Sequence, residues 1–147
     1  MNYDAEAARL EAEADELDKE VAEYEEAEGV LKANVESFVT SLKSIGSNMS
    51  SVNSLLSSTQ DTIMNNEALA HSSKVSETAN TESSKIESEA SAAYTKIEQK
   101  IQELKNQAQA DRSKAATYRE LARQQRIAAQ KKKNQKNNSN TNTETTA

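Results

Sequence analysis

This chain of 147 residues has no cysteine, no proline and no tryptophan, and only two glycines, one phenylalanine and one histidine. Each absence removes something. Without cysteine there is no disulfide, no thiolate nucleophile and no Cys-based metal site. Without proline nothing in the sequence forces a helix to break. Aromatic residues make up 3%, and mean hydropathy is −0.89, too little bulk for an ordinary globular core. His71 stands alone in a segment of turn-forming residues, and no Gly-rich phosphate loop or calcium-binding loop occurs. The carboxylates crowd onto amphipathic stretches, where they read as a solvated face. The chain is therefore expected to be no enzyme and to hold no metal or cofactor. No run approaches the roughly 18 apolar residues of a membrane-spanning helix. The start, Met1 to Leu17, is acidic and lacks the apolar stretch of a cleavable secretory signal. The expectation is a cytoplasmic protein, any export of which proceeds without a cleavable signal peptide.

What is present is a heptad. Tyr3, Leu10, Leu17, Tyr24, Leu31, Phe38, Ile45 and Val52 recur at every seventh position. A second series, four residues on, runs Ala7, Ala14, Val21, Glu28, Val35, Leu42, Met49, Leu56 and Ile63. With the first series at d and the second at a, the pattern specifies a long helix with one apolar stripe, built to lie along another helix. Only Glu28 breaks it. A later stripe (Val75, Ala79, Ile86, Ala90, Ala93) firms into Ile97, Ile101, Leu104, Ala108, Ala115, Tyr118 and Ala122. The two successive steps of four at Ala93, Ile97 and Ile101 form a stutter, which locally relaxes a left-handed supercoil.

Charge is divided along the chain. Residues 1–36 hold 13 acids and three bases, and residues 96–136 hold 12 bases and four acids. Exposed ion pairs are individually worth only about 0.2–1 kcal/mol, but a row of them selects antiparallel over parallel pairing. The fold expected is all-α: a long antiparallel helical hairpin, or intramolecular coiled coil, over residues 1–133. Its arms run over about 3–64 and 74–133, with Asn2 or Asp4 capping the first. The reversal is expected at Asn65 to Ser73, where Asn65-Asn66 and His71-Ser72-Ser73 favour turns, with Gly46 as the alternative. A reversal near residue 69 sets Tyr3 opposite Gln135 and Ile45 opposite Ala93. It also puts Glu28 and Asp111 at one level, either as a polar layer fixing register or as two exposed defects. Residues 134–147, all polar before Ala147, are expected to be a disordered tail.

The Ala-rich seam is narrow, so the hairpin is expected to need a helical protein partner or self-association. Leu31, Phe38, Leu42, Ile45 and Leu56 are the expected partner-binding residues, and Phe38→Asp is expected to abolish pairing. No small-molecule substrate is implied. The basic segment from Arg119 to Lys133 lacks aromatics for stacking apart from Tyr118, which argues against nucleic acid, and the acidic arm competes with nucleic acid or membrane for the same bases.

Two short patterns carry a resemblance. Ser44-Ile45-Gly46 stands where WXG100-type secretion substrates have a Trp-x-Gly turn, with Ser44 in place of the tryptophan. Tyr94-Thr95-Lys96-Ile97-Glu98 matches the Tyr-x-x-x-Asp/Glu export signal of that system, as does Tyr24-x-x-x-Glu28. In length, low aromatic content and early coiled region, the chain resembles the small all-helical, WXG100-like proteins that accompany LXG toxins of bacterial type VII secretion. The resemblance implies an accessory or targeting partner, chaperone-like, that binds the helical N-terminal domain of an LXG effector, with Tyr94 and Glu98 as candidate export signal. The alternative is a general structural coiled coil or chaperone-like adaptor unrelated to export.

Overall fold

The computed structural model describes residues 1–58 and 62–144, with side chains described for 1–58 and 66–140. It contains two helices, α1 (Tyr3–Ser57) and α2 (Thr62–Glu144), forming the expected all-α hairpin. Asn2 caps α1: its Oδ1 accepts the Ala5 N–H at 3.2 Å, and its carbonyl accepts the Glu6 N–H at 3.1 Å. Asp4 and Glu6 in the first turn suit the positive end of the helix dipole. At the other end Ser58 returns both its N–H (3.2 Å) and its hydroxyl (2.8 Å) to the Leu55 carbonyl, satisfying an orphan acceptor. Several serines inside α1 donate to the carbonyl one turn back, as Ser41 does to Ser37 and Ser54 to Ser50.

Three expectations are corrected. The reversal lies between Ser57 and Thr62, neither at Asn65 to Ser73 nor at Gly46. Residues 65–73 are helical; among their described side chains the Ser72 hydroxyl donates to Asn53 Oδ1 on α1, and His71 sits exposed on the helix. Gly46 is helical with negative φ, so the Trp-x-Gly turn suggested by Ser44-Ile45-Gly46 does not form. The register moves accordingly: Tyr3 stacks on Tyr118, with ring centroids 5.8 Å apart and planes 17° apart, far from Gln135. Finally, of the tail expected to be disordered over 134–147, residues 134–144 continue α2, and 145–147 lie outside the described residues. No proline or glycine interrupts them, and a helix already nucleated by packing extends at one hydrogen bond per residue.

The hairpin divides into two compact units, residues 1–22 with 102–147, and residues 23–101. In the first, the heptad reading holds. Ala7, Leu10, Ala14 and Val21 are buried on α1, and Leu104, Ala108, Ala115 and Ala122 on α2. Ala7 and Leu10 pack on Ala115, with Tyr118 against them. One arginine per heptad of α2 crosses to the acids of α1. Arg112 meets Asp15 at 2.9 Å and Asp18 at 2.6 Å, Arg119 forks onto Glu11 at 2.6 and 3.1 Å, and Arg126 reaches Asp4 at 2.7 Å. Asp111 is 5% exposed and accepts from Gln107 Nε2 at 2.9 Å on its own helix, so this break in the seam is not an exposed defect.

The second unit is built differently. Its buried positions include Gly46, Ser72, Ser76 and Ser83, with Val39 and Ala79. The Ser76 hydroxyl donates to the Gly46 carbonyl at 3.2 Å, and Ser50 Oγ lies 3.4 Å from Ser76 Oγ. A Cβ on Gly46 would meet the Asn80 side chain, with Oδ1 at 2.8 Å, so a larger residue there must displace that amide. Burial along α2 follows the stutter, with Ala93 and Ile97 half-buried and Ile101 buried.

Candidate functional site: an exposed apolar face

The seam of the second unit explains where its large apolar residues go. In the first unit α1 turns positions a and d inward. In the second the a positions (Val35, Leu42, Met49, Leu56) are half-buried, and the second inward row is e: Val39, Gly46 and Asn53. From d to e is one residue, about 100° around the helix. The cause is size. Serines on α2 and a glycine on α1 occupy the seam, and the larger Phe38 and Ile45 lie outside it. The d series is therefore turned out: Leu31 is 38% exposed, Phe38 56% and Ile45 44%, with Val52 beside them.

The same outward side of α1 carries no charge. Between Val30 and Leu55 the only charged residues are Lys32, Glu36 and Lys43. All three fall at e or b, on the opposite flank, where Lys43 meets Glu87 at 2.7 Å and Lys32 meets Glu98 at 3.5 Å. In a chain that is 29% charged, an exposed sector 26 residues long made of aliphatics, Phe, Ser and Asn is unlike a solvated surface. It continues onto α2. Leu42 and Ile45 form with Val75, Thr78 and Ala79 an almost wholly apolar groove of about 400 Å³. Lys74 and Glu82, eight residues apart along α2, stand on its rim, and neither is in an ion pair among the described residues.

The expected partner-binding residues are thus distributed as follows. Leu31, Phe38 and Ile45 lie exposed on this face, and Leu42 and Leu56 are half-buried along its edge. Ile45 meets the groove around Thr78, not Ala93. Val35, Met49, Val52 and Val75 belong to the face as well; the sequence reading placed them in the apolar stripes but did not name them as partner-binding. Their signal was available in the heptad, but only the observed shift from d to e identifies which side is free.

Tyr94 and Glu98 sit elsewhere in this unit, gathered around one lysine. Lys32 Nζ lies 5.2 Å from the centroid of the half-buried Tyr94 ring, 3.5 Å from Glu98 and 2.6 Å from Glu28. The contact to Glu28 Oε1 is an ion pair; that oxygen makes no well-directed hydrogen bond. Glu28 is 8% exposed, so it too is no solvated defect. The Glu28 carboxylate, and with it Glu98, raises the Lys32 ammonium above its ordinary pKa, which keeps the lysine charged. Among the described residues no group of three His, Cys, Asp or Glu side chains is placed to hold a metal, and no helix is long and apolar enough to cross a membrane.

No protein-family model, no curated protein and no solved structure matches this chain.

Proposed function

We propose that the chain is a non-catalytic helix-binding protein, and that it acts as the accessory and targeting partner of an LXG-type effector of type VII secretion. The observation that carries the binding role is the charge-free apolar face of α1, centred on Phe38 and Ile45. An amphipathic helix of the effector's N-terminal domain would bury its own stripe against Leu31, Phe38 and Ile45, in the helix-on-helix manner of coiled-coil recognition. The secretion role rests on the resemblance set out above. Tyr94 and Glu98 form the export signal under this reading, presented one turn apart on α2.

The experiment is co-expression of the tagged full chain with an LXG domain encoded beside it, followed by sizing of the complex. Capture by the wild-type chain and loss with Phe38→Asp, at unchanged helical circular dichroism, is the expected result. An LXG domain that elutes apart from a correctly folded wild-type chain refutes the secretion role and leaves the general adaptor reading. Secretion assays with Tyr94→Ala and Glu98→Ala test the signal: export drops while complex formation persists.

A further inference from the structure

We propose that, in the absence of another partner, a second copy of this chain occupies the apolar face of residues 30–55, antiparallel and about a twofold axis near Thr78. This inference uses the face on which the proposed function rests, but it names a different occupant and is tested separately.

Three observations support it. First, the face is self-complementary. A twofold axis through the groove where Leu42 and Ile45 meet Thr78 sets α1 against α1 and α2 against α2 in the partner copy. Each d residue then meets an a residue of the other copy: Leu42 packs on Ile45, Phe38 on Met49 and Leu31 on Leu56. Every one of these side chains is exposed or half-buried in the single hairpin. This is the layer pattern of an antiparallel helical pair.

Second, the two rim charges beside the axis match. Lys74 and Glu82 flank Thr78 by four residues on either side, one turn each way. The twofold operation places Lys74 of each copy opposite Glu82 of the other, so both unpaired charges find an opposite partner twice over. The rest of the α1 sector carries no charge to oppose self-docking.

Third, the area suffices. Residues 30–55 span about 40 Å of helix at 1.5 Å per residue. Two helices wide, that face covers on the order of 700 Å² per copy, close to the roughly 800 Å² each partner contributes to a standard stable interface.

The test is a charge swap on the full chain, read by light scattering after size exclusion and by analytical ultracentrifugation in moderate salt. Wild type is expected to be dimeric in the range of about 10–100 µM. Lys74→Glu and Glu82→Lys each juxtapose two like-charged pairs and are expected to weaken association about tenfold. Mixing the two variants one to one restores dimers, because each then presents to the other only opposite charges. The double variant K74E/E82K also dimerises. A wild-type chain monomeric throughout this range overturns the proposal. So does a mixture that pairs no better than its components. Capture of the LXG domain is read on a different pair of proteins, so failure there does not disturb this result.

Discussion

The two units of the hairpin use the same heptad in opposite ways. Residues 1–22 with 102–147 put Leu and Ala in the seam and arginines along its edge. Residues 23–101 put Ser, Gly and Asn in much of the seam and leave Leu31, Phe38, Ile45 and Val52 outside. The first arrangement spends its apolar surface on holding two helices of one chain together. The second holds them by close approach and hydroxyl hydrogen bonds, which contribute less per residue, and keeps its apolar surface for something else. A helical stripe of the same spacing therefore encodes a core in one place and a docking face in the other. Which it becomes depends on the size of the residues one position along.

Substitutions that treat the two units alike should separate them. The largest effect is expected for Leu10→Ala, which empties a 5%-exposed position packed on Ala115 and should cost about 2–3 kcal/mol by denaturant unfolding. Phe38→Ala, also a loss of a large apolar side chain, should change the stability of the dilute, unassociated chain by no more than about 0.5 kcal/mol. Equal costs for the two would mean that the apolar face is a second core. Next comes Ser76→Ala. It removes the buried hydroxyl bonded to the Gly46 carbonyl and should cost about 1 kcal/mol by the same measurement. A stabilising result there would show that the polar seam adds nothing to the pairing.

The two glycines offer a smaller contrast. A Cβ on Gly29 meets nothing within 4 Å, so Gly29→Ala should stabilise by roughly 0.5–1 kcal/mol through helix propensity alone. Gly46→Ala gains the same propensity but must displace the Asn80 side chain. Its thermal midpoint should rise less than that of Gly29→Ala.

The smallest effect is electrostatic and confined to the first unit. The Arg119 hydrogen bond holds the Glu11 carboxyl below its ordinary pKa, and Arg123 with Gln124 depresses Glu120 to about 2. A carboxyl whose folded pKa is depressed stabilises fully above its unfolded value and loses that contribution as pH falls through the folded one. The Glu120–Arg123 pair should therefore weaken gradually from about pH 4.5 down to about pH 2, the Glu11–Arg119 cross-link should weaken in the same direction as pH falls, and 1 M salt at neutral pH should mimic the loss. All of these groups are solvent-exposed, so the change in midpoint will be slight. An effect that survives high salt would assign the stability to packing instead.

Much of this was legible from residues alone. The heptad gave the helices, and the acidic and basic arms gave antiparallel pairing, because period and charge are properties of a chain read in order. Asn2 was readable as a cap. The reversal was misplaced because Asn65-Asn66 and His71-Ser72-Ser73 have turn-forming chemistry in isolation. Their propensity is overruled once Ser72 finds Asn53 and Ser76 finds the Gly46 carbonyl across the hairpin. The tail was misread for a related reason. Composition judges a segment as if it stood alone, whereas residues 134–144 extend a helix nucleated elsewhere.

The sequence by itself determined the class of fold, the pairing direction and the set of residues apolar enough to dock a helix. Only the tertiary structure decided which of those residues face the other arm and which face away. A heptad fixes a stripe about an axis but leaves its rotation free. That rotation is set by how closely two backbones approach, and hence by Gly46 and the serines of α2, whose small size carries no signal until the helices are side by side.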